Sequence, residues 1–296
     1  MENLTSCPLC KSTKFSSKID SFDYFLSKEP FNIAKCDSCG FLFTNPRPFQ
    51  ENASKYYESE EYLSHNQNNQ GLLSQLYKLV RNYNVKQKSR LIQKYAGEKT
   101  ILDIGCGTGE FLNELKNRDF QVQGIEVNSS ARNFARNFHK LEVYRDLNTA
   151  NFNPDSFGVI TMWHVLEHVY HLHETINEIK RILKDNGTLI VALPNPESYD
   201  ANLYGKFWAG YDLPRHIYHF SSSNVKNLFN AHGFKVINIK PMYFDAYYVS
   251  LLSEKYIAGH MNYFKAFYRA SLSNFKAMTG SGNYSSLIYI LKPQKT

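Results

Sequence analysis

The stretch Ile101-Leu102-Asp103-Ile104-Gly105-Cys106-Gly107-Thr108-Gly109 decides the fold. An apolar strand runs into three glycines spaced Gly-x-Gly-x-Gly, and a helix opens behind them. Glycines at a strand-to-helix turn let the backbone bend sharply and pass close to a ligand. The next strand closes at Glu126 in Gly124-Ile125-Glu126-Val127-Asn128, where a carboxylate can accept both hydroxyls of a ribose. The dinucleotide fingerprint spaces its glycines Gly-x-Gly-x-x-Gly, so the tighter spacing behind the acidic Asp103 favours S-adenosylmethionine over NAD.

Outward from this loop the pattern alternates. Strand Thr100–Ile104 leads to helix Glu110–Arg118, strand Gln121–Glu126 to helix Ser130–Phe138, then strands Leu141–Tyr144 and Val159–Trp163, helix His171–Leu183 and strand Thr188–Leu193. Such alternation predicts an α/β fold, a Rossmann-like doubly wound sheet covered by helices on both faces. Upstream, apolar residues from Leu72 to Tyr95 recur at helical spacing and predict a helix or helical pair. Its other face carries Lys78, Arg81, Lys86, Lys88, Arg90 and Lys94, and charge on an exposed helix face is the ordinary expectation. The polar run His65–Gly71 reads as a surface connection.

Four of the five cysteines, Cys7, Cys10, Cys36 and Cys39, form two Cys-x-x-Cys pairs. The chain opens MENLTSCPLC, with no basic segment, apolar core or cleavage site of a secretory signal, so a cytoplasmic location is expected. There the pairs read as a tetrahedral thiolate zinc site rather than as disulfides. The expected organisation is a zinc module over 1–48, a linker and helical lead-in over 49–99, and the α/β domain over 100–296. Within the module, Phe22–Leu26 and Gly40–Thr44 are predicted as short strands. No apolar run approaches the roughly 20 residues of a bilayer span, so no membrane partner is expected. A net charge of +7, from 34 Lys and Arg against 27 Asp and Glu, permits a polyanionic partner without requiring one.

With these motifs in view the chain resembles the class I S-adenosylmethionine-dependent methyltransferases over about 91–293. The resemblance implies cofactor contacts at Asp103, Gly105, Gly107 and Gly109, a ribose acid at Glu126 and an adenine-side acid at Asp146. It continues through Phe157–Val169, Asn186-Gly187 and Pro194-Asn195, and Gly158 departs from it where the family usually carries Asp. It also implies a terminal antiparallel hairpin at Gly233–Ile239 and Ser286–Leu291, interrupted by an aromatic helical insertion over about 243–284 that caps the active site.

His164-Val165-Leu166-Glu167-His168 formally matches an inverted zinc-protease signature, but it follows a nucleotide-binding fold and closes a strand, which places His164 beside the cofactor. Some related O-methyltransferases hold a divalent metal with a Glu-His pair here, which Glu167 and His168 match. A second block, Tyr204–Trp208 with Asp212–Ser221, resembles one that lies over the substrate side of the cofactor in a branch of bacterial methyltransferases. It makes Trp208 and Arg215 expected substrate contacts, with Arg215 on an anionic group, and His216 the expected general base. A structural hydrogen bond is expected for His219.

The expected activity is methylation of an oxygen on a small molecule or glycan precursor, with S-adenosylmethionine, a structural zinc and a second divalent metal as the cofactors to test. Two rivals stand beside it: an RNA methyltransferase gripping nucleic acid with its zinc module and basic helix, and a docking protein on a degenerate methyltransferase fold. Acids at Asp20, Asp23, Glu29 and Asp37 speak against the first, and the intact glycine loop against the second.

Overall fold

A computed structural model describes residues 1–57, 72–280 and 282–294, with the helix backbone alone over 72–79. The connection read at His65–Gly71 lies outside the described residues, as do the side chains of Leu72, Leu76, Lys78 and Leu79. Two sheets make the frame. The N-terminal one pairs β1 (Phe15–Phe22), β2 (Pro30–Cys36) and β3 (Leu42–Thr44) antiparallel, and its fourth strand is β9 (Tyr218–His219), from far along the chain. A 3-10 turn, Gln50–Tyr56, leads away from it.

The second sheet has seven strands in the order β10-β11-β8-β7-β4-β5-β6. They are β4 (Thr100–Ile104), β5 (Gln121–Ile125), β6 (Glu142–Tyr144), β7 (Phe157–Trp163), β8 (Leu183–Pro194), β10 (Phe234–Pro241) and β11 (Ser286–Pro293). β6, β5, β4, β7 and β8 pair parallel, and β11 runs antiparallel between β8 and β10. The connecting helices are α1 (Leu72–Tyr95), α2 (Glu110–Lys116), α3 (Ser129–Phe138), α4 (Leu147–Ala150), α5 (Leu172–Ile182), α6 (Tyr199–Tyr204) and α7 (Ser222–Ala231). Every residue of β7 is buried, as an apolar run covered on both faces requires. The expected doubly wound sheet and terminal hairpin are present, and the insertion forms two helices, α8 (Asp245–Ala258) and α9 (Tyr263–Thr279).

The helix expected over 72–95 is single. Phe22–Leu26 is a turn rather than a strand, because Asp23 is buried there and its carboxylate accepts the backbone N–H groups of Phe25, Leu26 and Ser27 at 3.1, 3.0 and 2.8 Å. The strand is β1 instead, a polar segment held by its pairing with β2. Residues on either side of position 48 share one core: Cys7, Cys36, Phe41 and Phe43 pack in the same cluster as Leu102, Ile160, Ile217 and Phe220. Gly158 sits where a Cβ would come 2.9 Å from Glu98, and its N–H donates to Thr100 Oγ1 at 2.8 Å.

Candidate active site

The strand order reverses between β4 and β7, and in open α/β sheets ligands sit beyond the carboxyl ends of strands at that point. Asp103 lies one residue from the end of β4; Gly105, Gly107 and Gly109 follow that strand, Glu126 follows β5, Asp146 follows β6, and His164 follows β7. Gly105 has φ +77°, and a Cβ on it would lie 2.3 Å from Val165. Gly107, at φ +56°, has open space where its Cβ would be, so a ligand can approach the bare backbone. Glu126 accepts the N–H of Gly107 at 2.9 Å and that of Asn128 at 2.7 Å, one on each carboxylate oxygen. Each oxygen keeps a second lone pair for a ribose hydroxyl. Asp146 caps α4, accepting the Thr149 N–H at 2.8 Å through Oδ1.

Asp103 is buried and accepts a hydrogen bond from Thr161 at 2.5 Å. Burial pushes its carboxyl up to about 7, against the opposing pull of Thr161 and Lys88. Lys88 is a site residue that the sequence reading placed on a solvated face. Its ammonium lies 4.4 Å over the Trp163 ring. Burial pulls its pKa down, and the charges of Asp103 and Asp245 resist this. Asp245, the first residue of α8, was also unassigned. Its Oδ2 lies 3.0 Å from His164 Nε2, while His164 Nδ1 lies 3.5 Å from Glu167 Oε1. Burial disfavours the imidazolium, but the two carboxylates outweigh it and raise His164 to about 10.

Glu167 is buried, and among the described residues neither carboxylate oxygen has a hydrogen bond of good geometry, with His164 Nδ1 at 3.5 Å and His216 Nε2 at 3.9 Å from Oε1 as its charge partners. Two histidines face it. His168 Nδ1 lies 2.8 Å from the Arg215 carbonyl and His216 Nδ1 lies 2.9 Å from the Gly210 carbonyl. A carbonyl can only accept, so both Nδ1 atoms carry a proton, the one on His168 shared with the Tyr57 hydroxyl at 3.0 Å, and in the neutral imidazole the lone pair is then on Nε2. Burial and the neighbouring His216 bring His168 down to about 4. The three residues offer one donor atom each, all within 4.8 Å of one another. Two imidazoles fixed by carbonyls beside one buried carboxylate fit a divalent cation of the zinc, manganese or iron type better than magnesium, which prefers oxygen. His219 bonds Thr44 Oγ1 at 3.3 Å, and burial keeps it neutral.

Of the two expected substrate contacts, Arg215 is corrected and Trp208 is held in place by its own partners. Arg215 is buried, with its guanidinium 2.9 Å from Asp23 Oδ1, 2.7 Å from Asp212 Oδ1 and 3.0 Å from the Tyr56 carbonyl. Those acceptors leave it no role on an acceptor anion. Trp208 is buried in the cluster of Phe31, Tyr56 and Tyr204, and its indole N–H donates to Asp200 at 2.8 Å. It forms a wall of the narrow cleft that Glu167, Pro194, Gly210 and His216 also line.

At the opposite end, the thiols of Cys7, Cys10, Cys36 and Cys39 all lie within 4.8 Å of one another, with Cys7 Sγ 3.7 Å from Cys39 Sγ and Cys10 Sγ 3.5 Å from Cys36 Sγ. Those separations suit the edges of a tetrahedron with metal–sulfur bonds of about 2.3 Å.

The fold and the glycine cradle together define an S-adenosylmethionine-dependent methyltransferase. The methyltransferase domain family matches residues 61–239, more than half of the chain, and the chain belongs to that family. An uncharacterized protein of Methanocaldococcus jannaschii is 31% identical over 161 residues, 53% of this chain and 64% of that protein. The ubiquinone biosynthesis O-methyltransferase of Glaesserella parasuis is 31% identical over 108 residues, 33% of this chain and 46% of that enzyme. The matches thus span about half the length of these relatives. Among solved structures, a Pyrococcus horikoshii protein aligns with TM-score 0.52 at 15% identity, covering 83% of this chain and 100% of that one. An Archaeoglobus fulgidus methyltransferase aligns at 0.51 and 18%, covering 72% and 94%, and these two likenesses concern the fold alone.

Proposed function

We propose that the enzyme methylates a hydroxyl of a small molecule or glycan precursor, and that Cys7, Cys10, Cys36 and Cys39 hold a structural zinc. The observation that carries the acceptor reading is Glu167, buried with neither oxygen hydrogen-bonded among the described residues and faced by two imidazoles whose Nδ1 atoms are held by backbone carbonyls. Ubiquinone biosynthesis O-methyltransferases among the relatives support a small acceptor.

In this reading Glu126 binds the ribose hydroxyls and Asp146 lies on the adenine side. Lys88 pairs with the methionine carboxylate and Asp103 with its amino group, each supplying the charge opposite to its partner. The acceptor oxygen attacks the methyl carbon in line, the carbon–sulfur bond breaks, and the sulfonium becomes a neutral thioether while the hydroxyl proton is released to water. Glu167, His168 and His216 would hold a divalent cation, which would supply Lewis-acid chemistry at that hydroxyl. His164, kept protonated by Asp245, neutralises charge behind Glu167. The fixed tautomer of His216 also supports a second reading, in which its Nε2 takes the acceptor proton as a general base.

Titration calorimetry of the zinc-loaded protein with manganese separates them. On the first reading Glu167→Gln and His216→Ala both abolish manganese binding and leave cofactor affinity unchanged. Wild-type protein that takes up no manganese, with chelator-resistant turnover that falls about 10²- to 10⁴-fold in His216→Ala, would replace it with the second.

A further inference from the structure

The helical insertion is built inside out. α9 buries Ala266, Ala270, Ser273 and Ala277, a stripe of small residues at helical spacing, and presents its large apolar residues to solvent. Phe264 is 92% exposed, and Phe267, Tyr268, Phe275 and Met278 are each more than half exposed. α8 repeats the arrangement, burying Ala246, Ser250, Ser253 and Glu254 while Tyr248 and Ile257 face outward. The inner face is bonded to the body of the protein: Ser253 Oγ accepts the Ala209 N–H at 2.9 Å, and Ser273 donates to Asp200 at 2.7 Å. The hairpin therefore cannot roll over to bury its aromatics. A contiguous apolar face of this kind on a surface helix marks a contact site.

Charge selects the occupant. Residues 243–284 hold two acids, Asp245 and Glu254, against four Lys and Arg. Both acids are committed inward: Asp245 pairs with His164, and Glu254 is 1% exposed, 2.7 Å from Arg269 and 3.4 Å from Lys265. Lys265 and Lys276 are both exposed residues, Lys265 at the rim of its pair with Glu254 and Lys276 with its ammonium 4.4 Å over the Tyr199 ring, so each can turn to an outside anion. A second copy packed about a twofold axis would set this face against itself, apposing lysines with no exposed acid from either hairpin to offset them. Exposed Phe and Met side chains on the outer face of a helix suit insertion into a soft apolar medium, whereas single-stranded nucleic acid is held in positively charged grooves.

We propose that the α8–α9 hairpin docks the enzyme on an anionic lipid bilayer, seating Phe264, Phe267, Tyr268 and Phe275 at the headgroup boundary with Lys265 and Lys276 on acidic headgroups. The sequence-based expectation of no membrane partner rested on the lack of a spanning segment. Among the described residues no helix is long and apolar enough to cross a membrane, and docking in the interface needs none. The proposal is independent of which acceptor is methylated.

Co-sedimentation of the full zinc-loaded chain with vesicles tests it. Binding is expected with phosphatidylcholine containing about one third phosphatidylglycerol, to weaken with salt, and to be much poorer with phosphatidylcholine alone. Phe264→Ser should lower partitioning at least about tenfold, and Phe264→Ser with Phe267→Ser further, at unchanged melting temperature and cofactor affinity. Vesicle binding indifferent to both variants would overturn the proposal. So would retention on a single-stranded RNA oligonucleotide without vesicle binding, or a dimer in sedimentation that Phe264→Ser dissolves.

Discussion

The two sheets are stabilised by different means. The seven-stranded sheet buries apolar side chains on both faces, and β7 has no exposed residue. In the four-stranded sheet β1 is largely exposed, with Ile19 half-buried and Ser21 the buried residue among its eight. Its other strands bury Phe31, Ile33, Phe43 and Tyr218, and four converging thiols at one end, a buried ion-pair cluster at the other and a borrowed strand, β9, along its edge add to that burial. Hydrophobic burial specifies a sheet diffusely, so that many residues share the task. Where burial is scarce, a few polar and metal-ligating groups must carry it, and each of them becomes a point of failure.

The largest effect should follow from stripping the metal. Cys36→Ser is expected to remove near-stoichiometric zinc, as read by elemental analysis, with a loss on the scale of structural zinc binding, about 10 kcal/mol or more. Because both regions share one core, unfolding should stay a single, lowered transition. Two separate transitions would break the comparison and return the first 48 residues to an independent module.

Next comes the ion-pair cluster. Arg215→Met should cost about 3 to 5 kcal/mol by leaving Asp23 buried and unpaired, with cofactor affinity nearly intact. Burial alone would raise the Asp23 carboxyl, but Arg215 and the N–H groups of Ser27 and Leu26 hold it below its usual value. A depressed acid contributes stability that is complete above its unfolded pKa of about 3.9 and lost as pH falls through the folded value. The stability gap between wild type and Asp23→Asn should therefore be flat above about pH 4 and close in stronger acid, as followed by denaturant melts.

Smaller effects belong to the α/β half. Lys88→Met and Glu126→Ala should each weaken S-adenosylmethionine binding by about 10- to 150-fold in calorimetry, at little cost in stability. Smallest of all, Lys86→Ala with Arg90→Ala should stay within about 0.5 kcal/mol and leave turnover flat with salt. A steep salt dependence that these changes flatten would revive the RNA reading.

What was legible in the sequence follows the same division. The glycine loop, Glu126 and the alternation of strands and helices could be read because each is a local signal, spelled within a few residues of itself. β1 could not, since Phe15–Phe22 is mostly polar and becomes a strand only through its partner β2. Arg215 looked like an anion clamp because the acid that consumes it, Asp23, lies 192 positions away. Lys88 and Asp245 were missed for the same reason. Nothing near either residue shows that the fold would bring both toward Asp103 and His164. His216 could be noticed by type, but its tautomer depends on a carbonyl that only the turn at Gly210 supplies.

The short segment from Arg215 to Phe220 has a further consequence for anyone wishing to alter the enzyme. His216, Tyr218, His219 and Phe220 line the cleft beside Glu167, and Tyr218 and His219 are at the same time the strand that completes the N-terminal sheet, where Arg47 donates to the Tyr218 hydroxyl at 3.0 Å. The proposed acceptor site and the sheet that carries the four cysteines thus share the same few residues. Transplanting this segment from a relative to change selectivity would import a strand cut for a different ribbon, so the graft that succeeds should be the one that carries residues 1–48 along with it.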